Sequence, residues 1–151
     1  MKRVVKVAGA SMAPTYRSGD LLLTRGIGRG GLPRRGQVVV LRRGGTRMLK
    51  RVVGVPDDQV EVEAGRLFVN GESVDGRGRV PGAVTAAWRV PTGSYFVAGD
   101  NPAVSDDSRV WDEPFVPLDH LEAVVIRWLA RARRRTDLKP GELPAAADPA
   151  G

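Results

Sequence analysis

At 151 residues, 42% of them hydrophobic, the chain is long enough for one domain with its own core. It has no cysteine, which excludes disulfides, thiolate metal sites and a cysteine nucleophile, and its one histidine, His120, would leave a metal site to carboxylates, so neither metal nor cofactor is expected. The formal charge of +7 favours anionic partners, and 19 glycines with 11 prolines leave room only for short β runs.

Residues 4–7 include the β-branched Val4, Val5 and Val7 and predict a strand that feeds the turn Gly9-Ala10-Ser11-Met12-Ala13-Pro14-Thr15-Tyr16-Arg17-Ser18-Gly19-Asp20. Glycine permits close backbone approach and proline fixes φ, so this turn presents Ser11 stiffly. A second apolar run covers 21–24, and a glycine-rich basic loop follows to Gly36. Residues 37–42 hold four successive apolar side chains, Val38 to Leu41, as in a strand buried on both faces. Gly44-Gly45 turns the chain, and 48–53 returns as the partner strand with Lys50. Residues 59–63 alternate, with Val60 and Val62 on one side and Gln59, Glu61 and Glu63 on the other. The run 66–69 leads into Asn70-Gly71, a hairpin signal.

Residues 75–93, which include Trp88, show little pattern and are read as an irregular excursion. A short strand over 95–98 ends at Gly99-Asp100-Asn101, and the β-branched centre of 121–128 makes that segment a strand as well. Arginines crowd 127–135, and 136–151 turns to Pro, Ala and Gly, so the reading is a folded domain over 1–135 with a disordered tail over 136–151. The fold class is mostly β, a folded-over set of antiparallel sheets. No 18-residue apolar run exists and the first eight residues are too short and charged for a signal-peptide core. The expected location is the cytoplasm, with peripheral contact at a membrane as the variant.

Serine is a weak nucleophile until a base takes its proton. His120 is assigned to the edge of the last strand and not to catalysis. A lysine can serve if burial removes its charge; a shift of about three pKa units corresponds to roughly 4 kcal/mol. Lys50, between Met48 and Val52 on an apolar strand, fits that need, although taken by itself it reads better as one of many basic surface residues on an edge strand.

Four segments in order decide between these readings. They are Ser-x-Met-x-Pro-Thr with Gly-Asp (Ser11 to Asp20), Arg-Gly-x-Val-Val-Val (Arg35 to Val40), Lys-Arg-x-Val-Gly-x-Pro-x-Asp (Lys50 to Asp58) and Gly-Asp-Asn-x-x-x-Ser-x-Asp-Ser-Arg (Gly99 to Arg109). From about residue 7 to about residue 128 the chain resembles the type I signal peptidases. The resemblance implies a serine endopeptidase that removes leader peptides after small residues, with Ser11 as nucleophile and Lys50 as general base. It implies that Ser105 orients the lysine, that Asp107 and Arg109 pair to hold the last box, and that Asp100 and Asn101 form its turn. The Ser11 N–H would meet the oxyanion, with Gly9 and Ala10 beside it; Gly9 stands where some members carry a serine hydroxyl donor. Met12 would line the substrate groove. The implied partner is a precursor polypeptide with a small-x-small site, together with an anionic membrane or a membrane-anchored protein; nucleic acid is not expected. Two further readings are a maturation protease for one precursor, like those that trim the leader of nickel-type superoxide dismutase, and a repressor-like self-cleaving Ser/Lys protein.

Overall fold

β-Branched runs cut short by glycine turns build an antiparallel β protein. The computed structural model describes residues 1–28 and 31–132, and eleven strands and one 3-10 turn are found among the described residues. The strands are β1 (Lys2–Lys6), β2 (Leu21–Gly26), β3 (Val38–Arg43), β4 (Thr46–Gly54), β5 (Gln59–Glu63), β6 (Arg66–Val69), β7 (Glu72–Ser73), β8 (Thr85–Arg89), β9 (Ser94–Ala98), β10 (Phe115–Pro117) and β11 (Leu121–Ala130). The 3-10 turn, Leu118–His120, joins the last two. The expected tail over 136–151 and the arginines 133–135 lie outside the described residues.

A seven-stranded sheet runs β1-β2-β11-β3-β4-β9-β10, and a four-stranded sheet runs β7-β6-β5-β8. The apolar run of β3 lies in the middle of the large sheet, between β11 and β4, which is why four consecutive side chains of it are buried. Two cores result. Val39, Leu41, Val52, Tyr95, Val97, Val116, Leu121 and Val124 pack in one. Val53, Phe96 and Ala98, of opposite parity on β4 and β9, meet Val60, Leu67, Val69 and Val90 in the other, which joins the two sheets. Asn70 and Gly71, with φ of 50° and 85°, make the tight turn between β6 and β7, as their pairing predicted.

One expectation needs correction. The excursion over 75–93 contains β8, which pairs along the whole of β5 and sets the Trp88 ring 5.4 Å from that of Phe96. Its sequence, Thr-Ala-Ala-Trp-Arg, offers one large apolar side chain, so the strand is held by backbone pairing and a single anchor. Glu63, on the side of its strand opposite Val60 and Val62, is buried, and Arg79, Thr85 and the Val80 N–H all donate to its carboxylate.

Candidate active site

The serine turn is closed at its base by main-chain bonds. The Val7 N–H donates to the Asp20 carbonyl at 2.8 Å and the Gly19 N–H to the Val7 carbonyl at 2.7 Å. Asp20 is fully buried beneath it, its carboxylate accepting from the N–H groups of Arg17 and Ala132, so the end of β11 is fastened to the turn. Gly9 has φ +77°, and the Ala13–Pro14 peptide is cis. Met12 is 1% exposed and is not among the residues lining the cavity described below.

Lys50 arrives from β4. It sits opposite Val39 in the β3 pairing and shares a strand face with Met48 and Val52, all of the first core. The residue is 4% exposed, and its amine reaches the Ser105 hydroxyl at 3.0 Å. Burial, the largest influence, lowers the Lys50 pKa from the ordinary lysine value of 10.5; Asp107 and Asp106 oppose the shift and Arg109 assists it.

Ser105 is fixed from three sides. Its hydroxyl donates to Asp107 Oδ2 at 2.6 Å and accepts from the Gly99 N–H at 3.1 Å and from Lys50. With its proton committed to a carboxylate, the hydroxyl can only accept from the amine. A neutral Lys50 therefore spends an N–H on Ser105 and keeps its lone pair for another proton. Asp107 is 0% exposed and takes two of the three Arg109 guanidinium bonds, at 2.9 and 2.6 Å, the third going to the Gly99 carbonyl at 3.2 Å. Burial works against its charge, but Arg109, Ser105 and the Gly99 N–H together hold its carboxyl below the usual carboxylate range.

The last box also grips the serine turn. The Asn101 N–H donates to the Ser11 carbonyl at 2.9 Å and its side-chain amide to the Ala10 carbonyl at 3.0 Å. These bonds hold the carbonyls of the turn, and among the described residues no protein acceptor takes the Ser11 N–H. Asp100 does more than shape a turn: Arg51 clamps it with two bonds of 2.8 and 2.7 Å, and Thr15 donates to it at 2.6 Å. A side chain at Gly99 would run into Ser105 and the Ser11 carbonyl, so the two segments meet there only because the residue is glycine.

Ser11, half-buried, and Lys50 line one cavity of about 490 Å³ with Val5, Val7, Val40 and Leu49. Among the described residues no hydrogen bond joins their side chains. His120 is exposed at the end of its 3-10 turn and makes no hydrogen bond with either. Sequence reading did not single out Arg51 or Thr15; their only signal was membership of the boxes that hold Lys50 and Ser11. The arrangement offers a hydroxyl and a buried amine lining one cavity, and an N–H without a protein acceptor among the described residues, which together suit acyl transfer.

Comparison with known proteins follows the same segments. The family model for signal peptidase, peptidase S26, matches residues 2–129. Signal peptidase I of Pseudomonas fluorescens is 32% identical, over 79% of this chain and 58% of that protein. Signal peptidase I of Bacillus caldolyticus is 36% identical, over 68% of this chain and 66% of its own length. The chain thus spans less than two thirds of these curated relatives. The crystal structure of a signal peptidase I from Enterococcus faecalis V583 superposes with a TM-score of 0.50 at 30% identity, covering 64% of this chain and 98% of the other.

Proposed function

Since the chain belongs to the signal peptidase (peptidase S26) family, we propose that it is a serine endopeptidase working through Ser11 and Lys50 on precursor polypeptides. The observation that carries the reading is the buried Lys50 amine, held on Ser105 and lining the same cavity as Ser11. In the first step Ser11 Oγ attacks the scissile carbonyl while its proton passes to the neutral Lys50 amine. The oxyanion meets the Ser11 N–H, a kind of donor whose removal typically costs about 10²–10³-fold. The Lys50 ammonium, now facing the Asp107 and Asp106 carboxylates, returns the proton to the leaving amine. Water, deprotonated by the same amine, then releases the acyl group and restores Ser11. Ser105 and the Asp107–Arg109 pair hold the amine in place, and Asp100 and Asn101 hold the serine turn against them.

The substrate proposed is a precursor cut after small residues, as the named relatives suggest. Docking at an anionic membrane is proposed for the outer end of β11, where Ile126, Trp128 and Leu129 stand exposed beside Arg127 and Arg131. The Arg131 guanidinium lies 4.1 Å over the Trp128 ring. No helix among the described residues is long and apolar enough to cross a membrane.

The test is cleavage of a small-x-small leader peptide, with product ends mapped by mass. Wild type should cut once after a small residue, and Ser11→Ala should lose about 10⁴-fold or more. Comparable cleavage by Ser11→Ala would overturn the reading.

A further inference from the structure

The cavity that holds Ser11 and Lys50 continues into a second one of about 640 Å³, the two sharing Val4, Val5, Val40 and Arg47. The walls of this groove are two strand edges. β1 pairs only with β2, and β9 pairs with β4 only from Arg51 to Gly54, which leaves the Lys50 end of β4 without a neighbour on that side. An extended polypeptide can therefore lie along the groove and take up unpaired backbone groups.

The far end of the groove is not apolar. Arg3 and Val5 are paired with Thr24 and Leu22, both buried, so alternation turns Arg3 and Val5 to that same side. Arg47, two residues from Leu49, shares the side of Leu49 and of its partner Val40. The acidic residue lining this end, Glu122, is already held by Arg42 at 2.9 Å and Arg47 at 3.0 Å. Arg3 makes no ion pair among the described residues, and the Arg47 side chain remains 56% exposed. The end thus carries an excess of positive charge. An apolar segment laid across it would strip water from the Arg3 guanidinium with nothing in return and from the exposed part of Arg47, whereas a carboxylate would pair with them.

Distance sets the position. Lys50 and Arg47 are three residues apart on β4, which at about 3.3 Å per residue places Arg47 roughly 10 Å along the groove. Arg3 lies four residues from Val7 on the opposite wall, roughly 13 Å by the same measure. We propose that this end of the groove selects substrates bearing an acidic side chain at the fourth residue before the scissile bond, beyond the small residues, or at the third or fourth after it, with Arg3 and Arg47 as the specificity residues. The proposal rests on the Ser11/Lys50 reading of the neighbouring site.

Fluorescence anisotropy on the full-length Ser11→Ala protein tests it without requiring turnover. Two sets of labelled small-x-small peptides carry either two aspartates or two asparagines clear of the small residues, at the fourth and fifth residues before the expected bond or at the third and fourth after it. One set places them before the bond and the other after it. In one set the aspartate peptide should bind about three- to tenfold tighter at low salt, approaching parity near 0.5 M salt, as expected for two exposed ion pairs. That set also gives the direction in which the chain lies. Arg3→Glu with Arg47→Glu in the same protein should reverse the order and favour peptides with two lysines there, a gain that unfolding cannot imitate. Equal binding of aspartate and asparagine peptides in both sets overturns the proposal, and so does an aspartate preference unchanged by Arg3→Glu with Arg47→Glu. Cleavage of the asparagine peptides by wild type reads the peptidase assignment separately. Turnover without aspartate preference keeps the enzyme and discards the selectivity; preference without turnover does the reverse.

Discussion

Arginine at position 50 separates charge from basicity. Lys50→Arg keeps the positive charge but cannot give up its proton, since a guanidinium stays charged above about pH 12. It should be as inactive as Lys50→Ala, while Ser105→Ala, which leaves the amine unpositioned but present, should be milder. Activity needs the neutral amine, so the wild-type rate should climb with pH through the lowered Lys50 pKa and level off below 10.5. The same shift carries a stability consequence of defined sign. A lysine whose pKa is lowered by folding opposes folding while it is protonated, and that opposition fades as pH rises toward the unfolded value of 10.5. Lys50→Met should therefore be dead yet at least as resistant to urea as wild type near neutral pH, with the difference shrinking in alkali. A clearly lower urea midpoint for Lys50→Met at pH 7 would contradict it. At this scale Ser11, Lys50 and Ser105 were legible because each stands in a box with few alternatives. The Arg51–Asp100–Thr15 clamp was not, because its three members come from three separated segments and only the fold brings them within 2.6–2.8 Å.

Between elements, Asp58 does for the small sheet what Asp20 does for the serine turn. It is buried and accepts two bonds of 2.7 Å from Arg35, one from the Val55 N–H and one from Asn70 in the β6–β7 turn. It thereby ties the entry to β3 and the exit from β4 to the hairpin. Burial opposes its charge, but these donors hold its carboxyl below the usual carboxylate range. Asp58→Ala should lower stability by about 1–3 kcal/mol, since it strands a buried N–H and frees the turn. A carboxyl held low contributes above its ordinary value of 3.8 and loses that contribution as pH falls through the folded value. Urea titrations of both proteins should therefore converge in acid; a gap that persists undiminished there would show that packing, and not the charge, is at stake. Most strands were legible from β-branched runs between glycines, as β3 and β11 illustrate. β8 and the three-residue β10 were not, since pairing partners distant in sequence hold them and their own side chains supply little. The burial of Glu63 was hidden for the same reason, its donors Arg79 and Val80 lying on a segment without visible pattern.

Across the whole molecule the formal charge of +7 is plain in the sequence, but its distribution depends on the register of β1 against β2. That register sends Arg3 toward the groove, and β11 ends in Arg127 and Arg131 around an exposed Trp128. A patch of aromatic and basic residues suits the boundary between lipid headgroups and acyl chains. Each basic side chain near an anionic leaflet contributes about 1 kcal/mol, and salt screens it over about 10 Å at 0.1 M. The protein should therefore float with vesicles of mixed neutral and anionic lipid at low ionic strength, and with neutral vesicles scarcely at all. Arg127→Glu with Arg131→Glu should abolish the anionic preference, and Trp128→Ala should weaken binding at every salt concentration because it removes buried area and not charge. Peptide cleavage in solution by these variants reports independently on the Ser11 site, so a loss confined to vesicles locates the effect on β11. Absence of flotation even at low salt would mean that substrates reach the groove without the membrane.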